Sequence, residues 1–190
     1  GYWQVLTRLP KRDVDTVFLP SETKKMVVDD MADFYKSEDD YVKVGMPYKR
    51  NYLFSGPPGT GKTSFVLALA SHFGKDVGFL NLAGDLDDGQ LFHAMSNVPN
   101  DSVMVIEDVD TIVKERSTTA KTNITMQGLL NALDGMACPH GSVVFVTTNY
   151  RDDLDSALIR PGRMDLDIKF EMCKSEEKRA MISHILTEMT

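Results

Sequence analysis

Cysteine is scarce in this chain. Cys138 and Cys173 are its two thiols, with neither a C-x-x-C spacing nor a partner pattern, which argues against a disulfide framework or zinc site and for a reducing compartment. Long apolar runs are also missing: no stretch approaches the roughly 18 residues of a transmembrane helix, and no signal-peptide pattern opens the chain. A soluble chain is expected, although both ends look cut and a membrane anchor outside them stays open. Positive charge is in deficit, with 21 Lys and Arg against 28 Asp and Glu and a net charge of −7, so nucleic acid would have to be bound by a local basic patch working against the overall field. His72, His93, His140 and His184 are scattered without ligand spacing, which disfavours a histidine metal centre. The 190 residues, 42% hydrophobic and 26% charged, have the balance of a single globular α/β domain with a well-filled core.

Against these absences stands the run Gly56-Pro57-Pro58-Gly59-Thr60-Gly61-Lys62-Thr63, followed by Ser64. Its spacing, G-x-x-x-x-G-K-[ST], lets successive backbone N–H groups turn inward on a polyphosphate, with Lys62 reaching the terminal phosphates and the Thr63 hydroxyl available to Mg2+. Tyr52-Leu53-Phe54 before it reads as a buried strand. The apolar residues from Phe65 to Ala70 after it read as a helix whose positive end faces the anion.

Elsewhere the pattern alternates strand and helix. Residues 1–20, with Tyr2, Trp3, Val5 and Leu6 and then Val14, Val17, Phe18 and Leu19, read as an extended lead-in segment packed on the domain. Ser21 is expected to cap a helix carrying Met26, Val27, Met31 and Phe34, whose tail from Ser37 to Asp40 reads as a solvated face. Strands are expected at 77–82, 102–108, 143–149 and 167–170. Helices are expected around Leu91 to Met95, from Ile124 to Asp134-Gly135, and from Ser175 to Leu186. Lys114 to Asn123 has no apolar period and reads as a mobile loop.

The strand Val103-Met104-Val105-Ile106 ends in Glu107-Asp108. Four apolar residues fit a strand buried on both faces, and carboxylates at its C-terminal end fall on the ligand-binding edge of a parallel sheet. A nucleotide hydrolase needs one carboxylate for the Mg2+ shell and a group that orients water, and this pair offers both. Thr63, Glu107 and Asp108 are the candidate magnesium-facing residues, and Asp110 is a weaker candidate, a turn cap as much as a site residue. Asn149, at the tip of another core strand, could bond the same water or a phosphate. Arg160 and Arg163 flank the turn Pro161-Gly162. Guanidinium groups placed so suit a developing phosphate charge, or else pair with Asp152, Asp153 or Asp165 in a surface network.

Taken together, Gly56 to Thr63, the Glu107-Asp108 strand, Thr147-Thr148-Asn149 and Leu154 to Asp165 resemble an AAA ATPase module from about Val14 to Phe170. The run YVKVGMPYKRNY at 41–52, the Glu-Asp order at 107 and 108, and Gly128 to Gly135 are most similar to the AAA group that contains the mitochondrial assembly chaperone for respiratory complex III. The resemblance implies a P-loop NTPase fold, three-layer α/β/α with a five-stranded parallel sheet in which the Asn149 strand separates the other two site strands. The core would span 21–172, and 173–190 would begin a helical lid that is mostly absent. ATP and Mg2+ would be the cofactors. Glu107 would face magnesium, Asp108 would activate water, Asn149 would act as sensor, and Arg160 with Arg163 would serve an adjacent subunit of a homo-oligomeric ring. After the second strand the chain has Ala83-Gly84-Asp85-Leu86-Asp87-Asp88 in place of the aromatic pore loop of threading unfoldases, which points away from threading unfolded polypeptide. The expected function is therefore ATP hydrolysis driving remodelling or translocation of a protein partner, in the cytoplasm or on the matrix side of a mitochondrial membrane. A nucleic-acid motor or loader, and a slow nucleotide-gated scaffold, are the alternatives.

Overall fold

A computed structural model describes residues 3–4, 7, 10–82, 84–99, 101–114, 122–134 and 138–188. After a 3-10 turn at Val14–Thr16 come helices α1 (Ser21–Lys36) and α2 (Glu38–Val44), then strand β1 (Lys49–Ser55) and helix α3 (Lys62–His72). The chain continues through β2 (Asp76–Leu80), β3 (Gly84–Asp87), α4 (Asp88–Ser96), β4 (Ser102–Ile106), α5 (Asp110–Lys114) and β5 (Thr122–Asn123). It ends with α6 (Met126–Leu133), β6 (Ser142–Thr148), β7 (Leu166–Lys169) and α7 (Ser175–Glu188).

The main sheet has five strands in the order β2-β4-β6-β1-β7, and every pairing is parallel. As expected, the strand leading to Asn149 lies between the phosphate-loop strand and the strand that ends in the two carboxylates. Burial on both faces explains the unbroken apolar runs. Successive side chains alternate between two cores. Tyr52, Phe54, Val103, Val105, Val143 and Phe145 face α1 and α3, whereas Leu53, Met104, Ile106, Val144 and Val146 face α4 and α6. The first core is aromatic, with Tyr52 stacked on Phe145 at 4.9 Å between centroids and Phe54 between Phe65 and Phe170. The second is aliphatic, and its helices approach closely where Gly128 meets Asp88. A Cβ on Gly128 would lie 2.0 Å from Asp88 Oδ1, which accepts the Thr125 N–H at 2.7 Å.

Several local expectations change. Ser21 is the first helical residue rather than the cap: Pro20 takes the N-cap position and its carbonyl accepts the Lys24 N–H at 3.1 Å, with no side-chain cap. The acidic tail after α1 is a separate helix, α2, because Ser37 interrupts α1 and Gly45, at φ 68°, supplies the left-handed C-cap. The second strand is shorter than expected and leaves Asn81 and Leu82 beyond it. Lys114 closes α5 and Thr122–Asn123 pair with β3 in a small second sheet, so the ends of the expected loop are ordered; 115–121 lie outside the described residues. Tyr2, Val5, Leu6, Ala83 and Gly135 also lie outside them. Of the lead-in segment, Trp3 donates its indole N–H to the Ala94 carbonyl at 3.2 Å, and Val17 is buried. The expected α6 begins later, at Met126 behind a Thr125 cap, with Ile124 buried just ahead of it.

Candidate functional site

Between β1 and α3 the chain needs backbone angles that only glycine adopts freely: Gly56, Gly59 and Gly61 have φ of 148°, 76° and 93°. Gly56 carries a second constraint, since a Cβ there would sit 2.1 Å from the Phe170 carbonyl oxygen. Thr60 is buried and closes the loop by donating its hydroxyl to the Pro57 carbonyl at 2.8 Å. Lys62 opens α3, so the first amide groups of that helix, which lack intrahelical partners, face the same cleft.

The cleft is lined by Pro58, Gly59, Gly61, Lys62, Thr63, Ser64, Glu107, Asp108, Thr147 and Asn149. Its side chains are linked in two short relays. Thr63 donates its hydroxyl to Glu107 Oε1 at 2.7 Å. Lys62, buried at 7% exposure, donates to Asn149 Oδ1 at 2.8 Å and to the Gly56 and Pro57 carbonyls at 2.7 and 3.0 Å. Asn149 in turn donates its amide to Asp108 Oδ1 at 3.0 Å. Burial lowers the pKa of Lys62, opposed by the charges of Asp108 and Asp110. A cation desolvated among carbonyl oxygens is a good host for an anion.

Two residues missed or misread in the sequence support this centre. Asp110 is no mere turn cap: at 3% exposure its Oδ1 accepts the Thr148 hydroxyl at 3.0 Å and the Asn149 N–H at 3.1 Å, tying the carboxylate strand to the Asn149 strand. Thr147 accepts the Asp108 N–H on its hydroxyl at 3.1 Å. Asp108 sits at φ 51°, a left-handed conformation in which Asp and Asn are the better tolerated side chains. The signal for Asp110 was its position two residues after the pair; the hydrogen bond to a strand 38 residues away carried none.

The other candidates fall outside the cleft. Gly56, Pro57 and Thr60 shape the loop without lining it, and Arg160 and Arg163 do not line it. Arg163 pairs with Asp134, through Nε to Oδ1 at 2.6 Å and Nη2 to Oδ2 at 3.0 Å, and not with Asp152, Asp153 or Asp165. For magnesium, the Thr63–Glu107 contact puts a hydroxyl and a carboxylate oxygen side by side. Among the described residues no cluster of three His, Cys, Asp or Glu could enclose a metal. Mg2+ takes one or two protein ligands beside phosphates and water, a number that the Thr63 hydroxyl and Glu107 carboxylate can supply. No helix among the described residues is long and apolar enough to cross a membrane.

Residues 52–172 match the family described as "ATPase family associated with various cellular activities (AAA)". Among relatives, the chain is 43% identical to the "Probable mitochondrial chaperone bcs1" of Schizosaccharomyces pombe, over 91% of this chain and 40% of that protein. It is 40% identical to the "Mitochondrial chaperone BCS1" of Danio rerio, over 82% of this chain and 40% of that protein, and 38% identical to an AAA-ATPase of Arabidopsis thaliana, over 90% and 40%. The chain thus spans about two fifths of the length of these relatives. With the phosphate loop, the carboxylate pair and the Asn149 strand assembled on a sheet of this order, the chain belongs to the AAA family of ATPases.

Proposed function

We propose that this chain is the ATP-hydrolysing module of a ring-forming AAA protein that remodels or translocates a protein partner. The observation that carries the reading is the Lys62–Asn149–Asp108 relay lying beside the Thr63–Glu107 contact, because it brings a phosphate-binding cation, a sensor amide and a candidate base within one hydrogen-bond chain. In this reading Lys62 and the amides of residues 59–64 bind the terminal phosphates, and Thr63 and Glu107 hold the magnesium shell. Magnesium, when bound, neutralises charge on the phosphates. Asp108 orients water and accepts its proton, and Asn149 fixes the direction of Asp108.

Neither Arg160 nor Arg163 lines its own cleft, which supports service of this turn to a neighbouring subunit. The names of the relatives support a protein substrate and a mitochondrial setting, and the net charge of −7 gives nucleic acid little to bind. The acidic segment after β2 supports a task other than gripping unfolded chain: Asp87 caps α4 in a reciprocal pair with Gln90, and Asp88 bonds Thr125. α7 is read as the first helix of a lid.

The test is nucleotide binding and turnover by the assembled full-length protein. Lys62→Ala is expected to abolish ATP binding while leaving the fold intact, as read by labelled-nucleotide titration and circular dichroism. Micromolar binding retained in that variant overturns the assignment.

A further inference from the structure

The two arginines beside Pro161-Gly162 are alike in sequence and unlike in structure. Arg163 spends three of its donors within its own chain: two on Asp134, and Nη1 on the Ala157 carbonyl at 2.9 Å. Arg160 is exposed, and among the described residues its side chain has no hydrogen bond or ion pair. The turn between them needs Gly162 at φ 93° and is gripped from below by β1. Lys49 donates to the Gly162 carbonyl at 3.0 Å and to the Leu133 carbonyl. Asn51 donates its amide to the Arg163 carbonyl at 2.7 Å and the Leu133 carbonyl at 3.3 Å, while Asp165 Oδ2 accepts the Asn51 N–H at 2.7 Å. Both β1 side chains are buried, at 9% and 0% exposure.

We propose that these arginines have separate tasks: Arg160 is the one that reaches the nucleotide of a neighbouring subunit, whereas Arg163 is a positioning residue that, locked to Asp134 and propped by Lys49 and Asn51, holds the turn in the shape that presents Arg160. This rests on the ring reading above. The physical ground is the cost of release. Sending Arg163 to a neighbour breaks a bidentate charge-assisted pair and leaves the Asp134 carboxylate alone, while Arg160 has nothing to give up. The Asp134 pKa is lowered mainly by its hydrogen bond from Arg163, which agrees with a pair kept charged and closed. The same strand that ends in the phosphate loop therefore sets, at its other end, the arginine its own subunit lends out.

The experiment uses full-length rings, with assembly verified by native mass measurement, and reads kcat, nucleotide affinity and thermal midpoint separately. Arg160→Ala is expected to cut kcat by about 10³ or more, the range of an arginine finger, with affinity and midpoint unchanged. Asp134→Arg and Arg163→Asp are each expected to lower the midpoint and kcat, and the double swap to restore both, since a brace works in either direction and a finger does not. Should the swap fail to fold, the neutral pair Asp134→Asn with Arg163→Gln keeps a hydrogen-bonded brace and is expected to retain kcat within about tenfold, against the 10³ loss expected of a missing finger. A folded, assembled variant of either kind that loses 10³ in kcat overturns the proposal. Full turnover by assembled Arg160→Ala rings overturns the assignment of Arg160, whereas parent protein that turns over ATP equally well as a dilute monomer overturns the ring reading beneath it, so the two failures are told apart.

Discussion

Two lysines are buried at opposite rims of the sheet, Lys62 at 7% exposure on the rim where the strands end and Lys49 at 9% on the rim where they begin, and their partners differ in kind. Lys62 reaches a side-chain amide and two carbonyls of its own loop, and Asn149 passes the contact on to Asp108. Two of these bonds join side chains and the other two stay within the phosphate loop, so a phosphate oxygen can take over a partner without opening the sheet. Lys49, with Asn51 beside it, bonds main-chain carbonyls at the end of α6 and in the arginine turn. No ligand can replace those acceptors without moving backbone. Similar chemistry thus serves exchange at one rim and fixation at the other, and the distinction lies in whether the acceptors belong to a side chain and the lysine's own loop or to the main chain of separate segments.

The largest expected effect comes from Asp108→Asn at the exchanging rim. Asn keeps the acceptor for Asn149 and tolerates φ 51°, so nucleotide affinity and thermal midpoint should hold while turnover falls by about 10² to 10⁴, the share of a general base. Parallel measurement of Kd and kcat checks this, and a fall in stability as large as the fall in rate would erase the contrast between the rims. At the fixing rim Asn51→Ala should behave in the opposite way. It withdraws the donor from two carbonyls, with an expected loss of about 1–3 kcal/mol in denaturant unfolding and little change in nucleotide affinity.

Between the rims, Tyr52→Phe should have the smallest effect. Tyr52 donates its hydroxyl to Asp30 at 2.7 Å, which ties β1 to α1, so about 1 kcal/mol is expected at neutral pH. Burial first, and then that hydrogen bond, raise its pKa far above the ordinary value. A raised phenol favours the neutral form in the folded state, so its contribution is complete below about pH 10 and is lost as the pH rises past the value of the unfolded chain. Urea midpoints on either side of pH 10 should fall more steeply for the parent than for Tyr52→Phe, and equal slopes would show that Tyr52 is not the group responsible.

How much of this was legible in sequence depends on how local each contact is. The phosphate loop announces itself because its glycines, lysine and threonine act within nine residues of one another. The Glu107-Asp108 pair was legible because four apolar residues fix it to a strand end. Asp110 and Asn51 were not read for what they do, since a polar side chain beside or inside a buried strand gives no hint of a partner on another strand. The pairing of Arg163 with Asp134 was equally hidden, because nearer carboxylates at 152, 153 and 165 were available and only the fold decides among them. Strand order came from resemblance, as no local pattern distinguishes β2-β4-β6-β1-β7 from another parallel order.

That order has a consequence for the chain as it is made. β1 is synthesised before both of its partners, β6 and β7, which begin at Ser142 and Leu166, so its apolar residues Tyr52, Leu53 and Phe54 stay unpaired while about 90 further residues are made. At ordinary rates this is roughly 5 to 20 s, long compared with the collapse of a small chain. During that interval the nascent polypeptide carries a hydrophobic strand with two open edges, and holdase binding or self-association should be sought there first.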